Sequence, residues 1–147
     1  MGAKPGGMKP PTVARGLGFV SRRTRARLVH GLKERGIRSL DVLAAVGSVP
    51  RHRFVDEALA SRAYEDIPLP IGYQQTISQP FIVALMSEKL IAGSAGRKTV
   101  LEVGTGCGYQ TAILAHLYER VCSIERIQPL FERSESTLAT LQVDNVE

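Results

Sequence analysis

Glu102, Gly104, Gly106 and Gly108 stand at alternate positions, and a second acid, Glu125, closes the next apolar run at residues 121–124. Glycines so spaced let a chain turn sharply and, lacking a Cβ, let a ligand lie against the main chain. A dinucleotide fingerprint orders its glycines G-x-G-x-x-G and aims a helix N-terminus at a pyrophosphate. The order here is E-x-G-x-G-x-G. A carboxylate just ahead of the turn repels a pyrophosphate and suits a cationic ammonium group. An acid in the place of Glu125 can accept hydrogen bonds from ribose hydroxyls. A ribose, a cationic head and no pyrophosphate together point to S-adenosylmethionine. The alternative is a structural βαβ unit whose glycines fall there by chance.

These residues need a strand before the turn and a helix after it. Residues 98–103 are short, apolar and β-branched, the pattern of a strand covered on both faces of a parallel sheet. From Thr111, the residues Ile113, Leu114, Leu117 and Tyr118 share one helical face. The fold class expected is α/β: a Rossmann-like, doubly wound and mostly parallel sheet with amino-terminal helices. Residues 1–20, rich in Gly, Pro and Lys, read as a disordered basic tail. Residues 21–66 read as a helical region and 67–147 as the cofactor-binding part. In the helical region Ser21 caps a helix through Arg35, which Gly36 stops. Ser39 caps a second helix over 40–46, and a third is expected over 54–63. Residues 64–72 hold Pro68, Pro70 and Gly72 and are expected to form an extended loop without regular structure. Ser78 is a natural N-cap two residues before Pro80, opening a buried helix over 81–90. Pro129 starts a last helix with Leu130, Ser134, Leu138 and Leu141 in one stripe, and a third strand is expected at 146–147.

A chain of 147 residues is long enough for one domain with a core, and 44% apolar residues suit a globular protein. No run reaches the length of a membrane span, and no apolar stretch of signal-peptide type follows Lys4 and Lys9. No membrane partner and a cytoplasmic location are expected. Cys107 and Cys122 read as two reduced thiols rather than a disulfide, and the three histidines have no metal-ligand spacing. Residues 1–60 carry 12 Lys/Arg against 4 Asp/Glu, whereas the remainder carries 7 against 10. The basic part has no aromatic residues interleaved for base stacking, so a solvated helix face is preferred to a nucleic-acid surface.

Three blocks resemble the protein-L-isoaspartate O-methyltransferase family: residues 68–80 (PLPIGYQQTISQP), 100–115 and 121–127. The first block is the most particular to that family. The resemblance covers about residues 25–147. It implies a class I methyltransferase that transfers a methyl group from S-adenosyl-L-methionine to the α-carboxylate of L-isoaspartyl residues. Its partners would be damaged proteins and peptides carrying that residue. By position, Gly104, Gly106 and Gly108 would line the cofactor with Glu102, and Glu125 would hold the ribose. Ser78 would sit where the methyl group meets the acceptor, with Ile77 beside it at the cofactor. Ser78 read without the family is simply a helix cap.

Family members continue into a Gly-Asp-Gly loop and further strands, so the chain is expected to be an amino-terminal part, inactive alone. Two other classes fit the glycine turn. One is a different S-adenosylmethionine enzyme acting on RNA or a small molecule, which gives no reason for the block at 68–80. The other is a non-catalytic binding module with a relic cofactor fold.

Overall fold

The computed structural model describes residues 22–147. The expected tail and the Ser21 cap lie outside the described residues. Helix α1 spans Arg22–Glu34 and ends at Gly36, whose φ of 105° is open to glycine without strain. Helix α2, Leu40–Ser48, starts as expected, with Ser39 Oγ accepting the N–H of Val42 at 3.3 Å. The third helix expected over 54–63 is instead two short 3-10 turns, Arg51–Phe54 and Glu57–Arg62. Val55 and Asp56 between them are extended, and the buried Phe54 packs edge-on against Tyr109, with 5.6 Å between ring centroids.

Residues 64–72 are also more regular than expected. Strand β1, Leu69–Gly72, pairs antiparallel with β2, Gln75–Ile77. The connection is the two-residue turn Tyr73–Gln74, with φ of 53° and 58°. Two left-handed residues match the twist of a tight hairpin. Pro70 is exposed and pairs with Thr76 in a two-stranded ribbon, where each strand is an edge and proline is tolerated, and the register shifts between it and Gly72.

Helix α3 spans Pro80–Gly93. Ser78 does not cap it. Asp66 does, through Oδ1, which accepts the N–H of Phe81 at 2.8 Å. The other oxygen of Asp66 pairs with Arg35, whose guanidinium lies 3.8 Å from the centre of the Phe81 ring. Burial of α3 is one-sided: Val83, Ala84 and Ser87 face inward, while Ile82, Met86 and Leu90 are exposed.

Strand β3, Thr99–Val103, runs parallel to β4, Arg120–Ile124, with Val100 opposite Val121 and Glu102 opposite Ser123. Between them α4, Tyr109–Leu117, crosses over, and α5, Gln128–Thr140, follows β4. On the far side of β4, Val121 bridges Val146 in parallel, and Glu147 N donates to Val121 O at 2.8 Å. Residues 145–147 thus lie beside β4 through a single bridge, where a third strand is expected, and the regular sheet is the pair β3–β4. The expectation of cover on both faces of β3 is corrected. Val100 and Glu102 are buried, but Leu101 is 62% and Val103 79% exposed, with Ile124 beside them at 55%. One face of the sheet carries α4, and the other is bare among the described residues. A single hydrophobic cluster runs from Leu28 of α1 to Leu138 of α5, so the amino-terminal helices share the core of the α/β unit.

Candidate active site

The glycine turn is fixed at both ends. Gly104 N and Thr105 N donate to Ile124 O at 2.7 and 3.2 Å, tying the end of β3 to the end of β4. Gly104, Gly106 and Gly108 have φ of 95°, 57° and 89°, so the alternate glycines supply three left-handed residues in succession around two others. A Cβ at Gly104 would enter open space, whereas one at Gly108 would come within 3.3 Å of Ser134 on α5. The first glycine leaves room for a ligand, and the last leaves room for a helix.

Glu125 secures the turn from the other side. Its Oε2 accepts the N–H of Gly106 at 2.8 Å, and Oε1 accepts that of Ile127 at 2.9 Å. Burial alone would raise its pKa, but the N–H groups of Ile127, Gly106 and Arg126 together hold it below the usual carboxylate range. Each oxygen keeps acceptor capacity for a further donor.

Glu102 is placed differently. Its carboxylate is turned onto the helix-covered face, where Oε2 accepts hydrogen bonds from Thr111 at 2.5 Å and Ser123 at 2.6 Å. Thr105 and Ser123 hydroxyls are 2.6 Å apart, which extends the network back into the turn. Glu102 Oε1 is buried without a partner among the described residues. Burial pushes the carboxyl above its usual range, against the pull of the two hydroxyls. Glu102, expected to meet a cationic ligand, thus holds the frame of the turn, and it also lines a hollow together with Ser78 and Gly104.

The segment that follows β2 passes the glycine turn. Ile77 is buried and Ser78 exposed. A small hollow of about 60 Å³ is lined by Ile77, Ser78, Gly104, Gly106 and Tyr109, among others. A second, of about 280 Å³, is lined by Ser78, Gly104, Gln110, Met86, Leu101 and Val103, among others. Ser78, Gly104 and Gln110 line both. Gln110 is held by Nε2 donating to Ser87 Oγ at 2.9 Å. The structure thus brings Ile77, Ser78, Gly104 and Gly106 together and places Glu125 against the same turn. A larger hollow, about 480 Å³, lies between α1 and residues 61–66 and includes none of these residues.

Arg51 and Asp66 carry no sequence signal for what they do. Arg51 is fully buried and donates through Nη2 to Ser78 O at 2.8 Å. An arginine in a stretch of charges reads as surface, and an acid capping a helix fifteen residues later has no local pattern. Cys107 and Cys122 are unpaired, and burial pushes the Cys107 thiol up. Among the described residues no group of three or more His, Cys, Asp or Glu is placed to hold a metal.

A parallel strand, a left-handed glycine turn, a helix and an acid closing the next strand define a Rossmann-like class I methyltransferase fold. The profile of protein-L-isoaspartate(D-aspartate) O-methyltransferases matches residues 23–147, and the chain belongs to that family. It is 57% identical over 132 residues to the protein-L-isoaspartate O-methyltransferase of Nitrosomonas eutropha, covering 89% of this chain and 60% of that protein. Against protein-L-isoaspartate O-methyltransferase 1 of Marinobacter nauticus the identity is 56% over 131 residues, covering 89% and 59%. A solved protein-L-isoaspartate O-methyltransferase superposes with a TM-score of 0.74 at 30% identity, covering 83% of this chain and 40% of that one. A Plasmodium falciparum structure of the same description, in complex with S-adenosyl-L-homocysteine, gives 0.70 at 28% identity, covering 83% and 60%. The chain spans about 60% of the length of the curated relatives it matches.

Proposed function

We propose that this chain carries the cofactor cradle and acceptor loop of a protein-repair methyltransferase. The reaction is methyl transfer from S-adenosyl-L-methionine to the α-carboxylate of L-isoaspartyl residues in damaged proteins and peptides. The observation that carries this reading is Ser78: an exposed residue, relieved of helix capping by Asp66, at the junction of the two hollows beside Gly104.

The residues fit the cofactor. The open space at Gly104 admits a ligand against the main chain. Glu125, ionised and with acceptor capacity to spare, suits a ribose diol. Gly106 and Gly108 shape the turn, and Ile77 gives an apolar wall. Glu102 acts through Thr111 and Ser123 as a positioning residue. S-adenosyl-L-methionine supplies, when bound, an electrophilic methyl group on a sulfonium.

The protein's own tasks are placement and exclusion of water. An acceptor carboxylate is ionised at neutral pH, so no general base is needed. The Ser78 hydroxyl donates a hydrogen bond that orients it. A cytoplasmic location belongs to the same proposal, consistent with two unpaired thiols. The test is cofactor binding by calorimetry, then methyl transfer to an isoaspartyl peptide, in a chain spanning the full length of its relatives. Binding and transfer are both expected. Cofactor binding with transfer only to RNA or a small molecule would overturn the reading.

A further inference from the structure

Arg51 is a buried charge for which the chemistry above has no use. Its side chain holds three segments of the site together. Nη2 donates to the carbonyl of Ser78 at 2.8 Å and reaches that of Ile67 at 3.4 Å. Its guanidinium carbon lies 4.6 Å from the centre of the ring of Tyr109, the first residue of α4 after the glycine turn. Burial is complete, and it lowers the pKa, against the pull of nearby Tyr109 and Cys107. A guanidinium nevertheless stays protonated in a protein.

Among the described residues the charge has no counter-charge in contact, and Arg51 forms no ion pair. Its Nε and Nη1 make no well-formed hydrogen bond there, and neither does Tyr109 Oη, although the phenol and the guanidinium lie near enough to favour each other's charged form. Asp66, the acid that acts on it electrostatically, is already committed to Arg35 and to the N–H of Phe81. Burying an unpaired charge is costly. Two carbonyls and an aromatic face do not require a permanent cation, since a neutral donor would serve them. What a cation adds is a field, and a field inside a protein is weakened far less than in water. That field acts at the backbone of Ser78.

We propose that Arg51 is a specificity-determining residue: its buried guanidinium behind Ser78, without an ion-pair partner among the described residues, selects an anionic acceptor, a carboxylate, over the neutral amide of the same shape. This rests on the isoaspartyl reading above and names how the site tells an ionised α-carboxylate from the amides that surround it in every polypeptide. The acceptor loses its charge as the ester forms. Arg51 therefore favours capture of the acceptor more than the transfer step, and its removal acts on KM more than on kcat.

The experiment uses a chain spanning the full length of its relatives and two peptides. One carries an L-isoaspartyl α-carboxylate, and the other the α-carboxamide as a competitor. Wild type is expected to bind the carboxylate at least about tenfold more tightly. It is expected to keep that preference at about 1 M salt, where exposed charges are screened within about 3 Å and buried ones much less. Arg51→Met is expected to lose most of the preference and raise KM far more than it lowers kcat. Arg51→Lys, which keeps the charge, is expected to retain part of the preference. A folded Arg51→Met protein with undiminished preference overturns the role. So does a wild-type preference that vanishes at high salt, a result that needs no variant and decides the matter if Arg51→Met does not fold. A wild type that methylates no isoaspartyl peptide overturns the functional reading itself. An active wild type with a salt-labile preference overturns only the role of Arg51.

Discussion

Glu125 uses one acceptor site on each oxygen for a backbone N–H, and a ribose diol would use the others. Glu125→Ala is expected to weaken cofactor binding by about 1–3 kcal/mol, the loss for hydrogen bonds to a charged acceptor. Calorimetry on the folded variant checks this, and unchanged affinity would remove the role. Ser78 and Asp66 make a paired case. Because Asp66 holds the N–H of Phe81, Asp66→Ala is expected to cost about 1 kcal/mol of stability as a lost cap. Ser78→Ala keeps the carbonyl that Arg51 needs, so its stability should stay within about 0.5 kcal/mol of wild type while methyl transfer falls. Full activity with a lowered melting temperature in Ser78→Ala would return the residue to a structural role. Glu102 gives a pH signature. Its raised pKa means that the folded state keeps a proton the unfolded chain has lost. Its contribution to stability is full below the unfolded value near 4.5 and declines as pH rises through the folded value. Glu102→Gln removes that decline. Relative to wild type it should gain melting temperature as pH rises above the unfolded value near 4.5, and parallel pH profiles would show that Glu102 is not shifted.

At the scale of elements, the glycine turn distinguishes two duties that one sequence pattern combines. Gly104→Ala and Gly108→Ala both place a Cβ on a left-handed residue, at about 1–2 kcal/mol each. Only Gly108→Ala also meets Ser134 at 3.3 Å and Leu138 at 3.4 Å. It should therefore destabilise more. Gly104→Ala, facing open space, should lose more cofactor affinity per unit of stability lost. Melting curves beside calorimetry separate the two, and identical ratios would sink the distinction. This turn was legible in the sequence because alternate glycines, a β-branched run and two acids each have a local cause. The hairpin was not. Its turn uses Tyr73 and Gln74 in left-handed backbone, where the usual signal is Asn-Gly or Asp-Gly, and the flanking prolines point to a loop. Nor was Arg51 legible, since burial among Ile67, Ser78 and Tyr109 is created by segments far apart in sequence.

At the scale of the whole molecule the open question is a surface. Leu101, Val103 and Ile124 lie on one bare face of the sheet, and β3 has β4 on one side only among the described residues. Met86 and Leu90 of α3 line the same hollow as Leu101 and Val103, which extends the apolar patch from strand to helix. An apolar run in sequence reads the same whether its cover is present or not, so the bare face had no signature. Contiguous apolar surface beside an unpaired strand edge invites association. The patch also borders Ser78 and Gly104, so association there would compete with ligand for the site. Residues 1–147 taken alone as a polypeptide are therefore expected to self-associate and to bind S-adenosyl-L-methionine weakly. Two measurements check this: sedimentation over a range of concentrations, and methyl transfer to an isoaspartyl peptide. Val103→Lys, at a residue 79% exposed, should raise the monomer fraction without loss of fold, because a charge on an open edge strand opposes pairing. A monomeric wild-type polypeptide with a cooperative melt, turning over the peptide as fast as a chain of full family length, would show that this face needs no cover.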